Sequence, residues 1–255
     1  MNVHSSKNHI DIYGFYHICC IGDWKEIVIE QVNSLTSSPL FQLSTKIYVC
    51  ALISEDNDLN ILNEILPAKF TLQIVDTNLE LFEYPILRFM HQKAQNEEFY
   101  AFYFHSKGVS VNKNKKRGVP YWRKELEYFL FYKCDLMLNA FELNYNTYGA
   151  NLRAFPKWSP HFCGNFWFAK SAYIKTLPLI PLDIYDRYYA EEWIGKNKDM
   201  NSFVPYNTFI DLYHVPLPRL FYNKTLPIRL NEIFDILLFI YYKLRSFVYK
   251  KQNIE

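Results

Sequence analysis

Glycine is scarce in this 255-residue chain, at 7 residues. The exit of the first apolar run, Ile21-Gly22-Asp23, offers a single one, which argues against a glycine-rich phosphate loop there and ranks a nucleotidyltransferase low. Cysteine is sparse too. Cys19, Cys20, Cys50, Cys134 and Cys163 are odd in number and spread out, without a CxxC pair. That argues against a disulfide framework or a zinc site and fits buried free thiols in a reducing compartment. Charge of one sign is missing as well: the formal net charge is +2, so no strong field invites nucleic acid. No stretch reaches the roughly 20 apolar residues needed to span a bilayer. The opening MNVHSSKNHIDIYG lacks the apolar core of a signal peptide. The expectation is a cytoplasmic protein, at most resting on the inner face of a membrane.

What is present is hydrophobic and aromatic. Half the residues are apolar, with 21 Tyr and 21 Phe, enough to bury a sizeable core. Short apolar runs alternate with amphipathic segments. Ile12 to Ile21, Lys46 to Ile53, Phe70 to Val75 and Phe99 to Phe104 read as strands, the first too continuous to be half exposed. Between them the spacing predicts helices: one capped by Asp23 and running to about Leu35, one over Leu59 to Leu66, and one from Pro85 to about Asn96. This alternation means βαβ units and a mostly parallel sheet flanked by helices, an α/β fold. Such sheets bind ligands at the carboxyl ends of their strands, so the loops after Ile21, Val75 and Phe104 are where chemistry is sought.

The second half changes character. A basic loop (Lys113, Lys115, Lys116, Arg117) precedes a long helix expected from Pro120 to about Ala140. A Gly-and-aromatic section, Thr147 to Ala169, follows, then two short helices. From Pro227 the pattern becomes an amphipathic helix with a basic end. Residues 1–225 are therefore read as one catalytic-type domain and 226–255 as a C-terminal helical tail able to lie on a membrane or dock on protein.

Three segments, Phe102-Tyr-Phe-His-Ser-Lys-Gly108, His161-Phe-Cys-Gly-Asn-Phe-Trp-Phe168 and Ala190-Glu-Glu-Trp-Ile-Gly195, together resemble bacterial polysaccharide-type glycosyltransferases with a GT-A-like (Rossmann-like) fold. The likeness extends over about Asp11 to Leu220. It implies sugar transfer from a nucleoside-diphosphate sugar, UDP foremost, to a growing surface glycan or lipid-linked acceptor. Where the wider superfamily keeps an Asp-x-Asp that holds Mg²⁺ or Mn²⁺, this chain has His105-Ser106-Lys107. No cofactor is therefore firmly expected, with Mg²⁺ or Mn²⁺ as the open alternative.

Diphosphate charge grows as the sugar–phosphate bond breaks, and something cationic must meet it. Lys107 suits that role, with Gly108 allowing close backbone approach and Ser106 and His105 adding hydrogen bonds. Asp76 is a candidate for the nucleoside, or a turn former. Arg123 reaches a phosphate, or pairs with Glu127 at i,i+4. Gly164, Asn165 and Trp167 are donor-sugar candidates: a small residue, an amide for hydroxyls, and a ring for a sugar face. Glu191 and Glu192, expected at the start of a helix, supply one carboxylate as base, since neighbouring helical residues point about 100° apart and only one can aim inward; Glu191 is favoured over Glu192. His214 is a phosphate-contact candidate that, with Asp211, forms a second possible metal pair. The rival reading is a non-catalytic, membrane-peripheral subunit that binds glycan or nucleotide.

Overall fold

The computed structural model describes residues 10–110, 117–154, 158–181 and 186–223. The tail helix expected from residue 226 onward lies outside the described residues, as do Lys113, Lys115 and Lys116.

Chain order begins β1 (Asp11–Cys19), α1 (Trp24–Thr36), α2 (Pro39–Leu43), β2 (Lys46–Leu52), α3 (Asp56–Ile65), β3 (Phe70–Asp76), α4 (Tyr84–Asn96) and β4 (Phe99–His105). It continues with α5 (Val119–Glu127), α6 (Cys134–Glu142), β5 (Thr147–Tyr148), β6 (Leu152–Arg153), β7 (His161–Phe162), β8 (Trp167–Lys170), α7 (Ser171–Ile174), α8 (Arg187–Glu192) and β9 (Ser202–Phe203). Seven strands form one sheet in the order β3-β2-β1-β4-β8-β5-β9. β1 pairs in parallel with both β2 and β4, β2 with β3, and β5 with β9, whereas β8 runs antiparallel to β4 and β5. β6 and β7 make a separate hairpin-like pair.

β1, β2 and β4 read as largely apolar runs because helices cover both sheet faces, whereas β3, at the sheet edge, is half exposed. Side chains alternate along a strand, and here each alternate set enters a different core. Tyr16, Ile18, Ile47, Val49, Phe102 and Phe104 pack in one. Phe15, Tyr48, Cys50, Ala101 and Tyr103 pack in the other.

Local chemistry departs from three expectations. α3 starts at Asp56, earlier than predicted, because Asp58 accepts hydrogen bonds from the Ser54 and Glu55 amides at 2.9 and 3.0 Å and closes the first turn. Asp23 stands before α1 but makes no capping bond with its side chain. The long helix expected from Pro120 is broken. α5 gives way to a π-helical turn over Tyr128–Tyr132, and Lys133 (φ −114°, ψ 29°) separates that turn from α6. Tyr128, Phe129, Leu130 and Phe131 are all buried, and consecutive residues of an α-helix spaced about 100° apart cannot all face one core. The wider turn resolves the conflict: Phe131 meets Phe104 edge-on at 5.2 Å, while Tyr128 and Phe129 pack on Tyr222 at 5.4 and 6.0 Å.

Candidate active site

The sheet grows away from β1 in both directions, towards β2 on one side and β4 on the other. The loops leaving β1 and β4 therefore diverge and open a crevice at their carboxyl ends. A cavity of about 330 Å³ sits there, lined by His17, Glu83, His105, Ser106, Lys107 and Arg187 among others.

The floor of this cavity is the turn after β4. Ser106 staples the strands beyond their ladder: its amide donates to the His17 carbonyl (2.9 Å), and its hydroxyl accepts from the Cys19 amide (2.9 Å). Gly108 has φ +105°, and a Cβ there would stand 3.2 Å from Val119 Cγ1 and 3.6 Å from Arg123 Nη1. Glycine meets both the backbone and the space requirement. Arg123 braces the turn from beneath. Its Nη1 donates to the Lys107 carbonyl at 3.2 Å, and its Nη2 pairs with Glu30 at 2.5 Å. Glu127 Oε1 lies 3.6 Å from its Nε. Arg123 is thus an internal support, and its buried guanidinium does not line the cavity.

Lys107 is directed inward and is only 7% exposed. Its Nζ lies 3.6 Å from the centre of the Trp122 ring and 5.9 Å from that of Tyr213, a cation–π seat. Burial pushes its pKa down to about 8, and Arg187 adds to the fall, while Glu191 and Glu83 oppose it.

The two glutamates part company. Glu192 pairs with Lys196 at 2.9 Å and accepts from the Ser159 amide at 3.3 Å. The Lys196 and Ser159 bonds hold its carboxyl below its ordinary range against the opposing effect of burial. Glu191 has one loose partner, Arg187 Nε at 3.8 Å, and its charge acts on Lys107, His105 and Tyr213. Both close the end of α8, not the start of a helix as expected. A carboxylate gains nothing from the dipole there, and the neighbouring cations compensate.

Asn165 and Trp167 lie a layer below. Asn165, left-handed at φ +57°, donates from Nδ2 to Glu83 Oε2 and accepts from Trp167 Nε1 at 2.7 Å. Its amide is therefore engaged inside the fold. Trp167 is 1% exposed and packs on Tyr103 at 5.1 Å, so its ring offers no face to a sugar. Gly164 (φ +87°) admits chain, not ligand: a Cβ there would meet Leu126 Cδ1 at 2.5 Å and Trp122 Cζ2 at 3.1 Å. Its carbonyl accepts from His105 Nε2 at 3.0 Å, which leaves His105 Nδ1 facing Glu83 Oε1 at 3.6 Å. Burial, with Lys107 adding to it, drives the His105 pKa down to about 3.

Other expected residues stand apart. Asp76 accepts from the Asn78 amide at 2.8 Å in a turn and is not part of the cavity wall. His214 and Asp211 pair with each other at 2.7 Å on the surface, 62% and 58% exposed, and neither lines the cavity. Among the described residues no group of three or more His, Cys, Asp or Glu side chains could hold a metal ion. A neutral imidazole, a hydroxyl and an ammonium at 105–107 do not suit a hard divalent cation, which wants carboxylate oxygens.

The cavity also holds His17, Glu83 and Arg187, which were not anticipated. His17 interrupts an apolar strand near its carboxyl end, a signal the sequence did carry. It is buried, its Nδ1 has no hydrogen-bond partner among the described residues, and burial lowers its pKa to about 4. Residues 15–204 match the model of a family described as a domain of unknown function (DUF8361). A comparison with curated proteins finds no match.

Proposed function

The chain belongs to the DUF8361 family, and from its own site we propose that it is a GT-A-like glycosyltransferase. It moves a sugar from a nucleoside-diphosphate donor, UDP foremost, to a surface glycan or lipid-linked acceptor at the cytoplasmic face of the membrane. The observation that carries this reading is a buried ammonium, Lys107, in the crevice between β1 and β4, together with the carboxylate of Glu191, which stands behind the cavity wall 3.8 Å from the wall residue Arg187.

The chemistry follows from those two groups. The donor diphosphate lies over Lys107, whose burial makes its charge worth more than in water. Ser106 and His17, both on the cavity wall, are neutral hydrogen-bonding groups for the rest of the donor. Glu191 takes the proton of an acceptor hydroxyl, the acceptor oxygen bonds to the anomeric carbon, and the electron pair of the breaking C–O bond leaves with the diphosphate. Attack from the face opposite the leaving group inverts the anomeric centre.

A panel of nucleotide sugars, assayed for transfer with and without EDTA, tests the reading. The expected result is turnover with one donor class, retained in EDTA and lost in Glu191→Gln. Glu192→Gln is expected to keep turnover, because its carboxylate is committed to Lys196 and Ser159. Binding of UDP without transfer to any acceptor would leave the non-catalytic reading instead.

A further inference from the structure

Arg187 opens α8 one turn before Glu191 and reaches into the same cavity as Lys107. Its side chain is 51% exposed, and its contact with Glu191, Nε to Oε1 at 3.8 Å, is too long for a good hydrogen bond. An arginine placed N-terminal to its glutamate at i,i+4 is also the weaker of the two orientations. The pair is therefore easily parted. The guanidinium charge is already felt in the cavity, where it helps to lower the pKa of Lys107 and of His105.

We propose that Arg187 is the second cation for the donor diphosphate and that it is shared: it rests on Glu191 in the empty site and moves to the phosphates when the donor binds. This rests on the glycosyltransferase reading above. A diphosphate offers the paired oxygens that a guanidinium fork matches bidentately, which a lone carboxylate oxygen 3.8 Å away does not. The exchange has a consequence for the base. While Arg187 rests on it, a Glu191 oxygen faces a cation. Once the guanidinium leaves, that oxygen is open to accept the hydrogen bond of the acceptor hydroxyl. The base is thus freed of its cation in the donor complex, so donor binding favours productive acceptor binding. When the diphosphate departs, Arg187 loses that counter-charge and returns to Glu191.

Inorganic pyrophosphate and UDP, titrated by calorimetry into the full chain and into Arg187→Gln, Glu191→Gln and Lys107→Met, test this. Arg187→Gln is expected to weaken pyrophosphate by about tenfold or more, the worth of a charge-assisted pair. Glu191→Gln is expected to bind pyrophosphate as tightly as wild type or several-fold more tightly, since the guanidinium no longer has a rival anion. Arg187→Lys, which keeps the charge without the fork, falls between wild type and Gln. Unchanged binding in Arg187→Gln overturns the proposal, and so does equal weakening in Glu191→Gln, since Glu191 would then support the anion site instead of competing with it. Loss of binding in Lys107→Met but not in Arg187→Gln overturns the shared arginine while leaving the donor site intact. Absence of pyrophosphate and UDP binding by wild type removes the donor site and the arginine's role together.

Discussion

Lys107 carries its charge where little water reaches it, and the protein holds its pKa down to about 8. The sign of the resulting pH dependence follows. Below 8 the ammonium is present and a phosphate ligand meets a cation. As pH rises through 8 the proton is lost from the free protein, and pyrophosphate binding weakens towards tenfold per pH unit. A bound polyanion favours the charged form, so Lys107 takes up a proton on binding near pH 8.5. Calorimetry in buffers of different ionisation enthalpy reads that uptake directly, and Lys107→Met removes it. Stability moves the other way. The unfolded lysine holds its proton to about 10.4, so the folded state gains relative stability between pH 8 and that value. The histidines add an acid limb. His17 and His105 are held neutral, with pKa values lowered to about 4 and about 3. Their contribution is present above the unfolded value near 6.5 and is lost as pH falls, by roughly 2 kcal/mol each at pH 5. Urea unfolding of wild type and of His17→Gln at pH 7 and 5 should show a smaller drop for the variant.

At the scale of elements, the site depends on how the end of β4 is held. Gly164 is a tight point beside it: its carbonyl positions His105, its backbone is left-handed, and Leu126 and Trp122 leave no room for a methyl. Gly164→Ala should cost about 2 kcal/mol or more through backbone strain and overpacking, and pyrophosphate binding should suffer with it. Arg123→Met tests the brace under Lys107. It removes the donor to the Lys107 carbonyl and strips Glu127 of its cation, and Glu127 is already driven up to about 7 by burial. A loss of about 3 kcal/mol in urea unfolding is expected for breaking a buried pair. Weaker anion binding should accompany it, although Arg123 is not on the cavity wall. These elements also show what a single sequence discloses. β1, β2, β4 and α1 were legible because two-sided burial writes continuous apolar runs and a 3.6-residue stripe, whereas β3 is a half-exposed edge strand. The π turn after α5 was not, since periodicity marks buried residues without saying how the backbone accommodates four in succession. The internal roles of Asn165 and Trp167 were hidden because the partner that engages Asn165, Glu83, lies 82 residues away in the chain.

For the whole molecule, the decisive feature is that β1 sits between β2 and β4 with all three parallel. That arrangement alone opens a crevice at one sheet edge, and the sequence pointed to the edge through the loops after Ile21 and Phe104. It did not reveal that α8 returns to close the crevice with Arg187, because no local pattern ties residue 187 to residue 107. Ligand linkage tests whether this assembled crevice is the binding site. A ligand that binds only the folded chain stabilises it by about 2.7 kcal/mol at a hundred times its dissociation constant. For a chain of this size that is about 5–10 °C in melting temperature. UDP, GDP and CMP screened by thermal shift should single out one nucleotide. Its shift should persist in Glu192→Gln and disappear in Lys107→Met, whose own melting temperature should not fall, because removing a buried, partly desolvated charge relieves a cost. A Lys107→Met variant that kept the full nucleotide shift would move the binding site off the β1/β4 edge, and the crevice would then be only a consequence of the strand order.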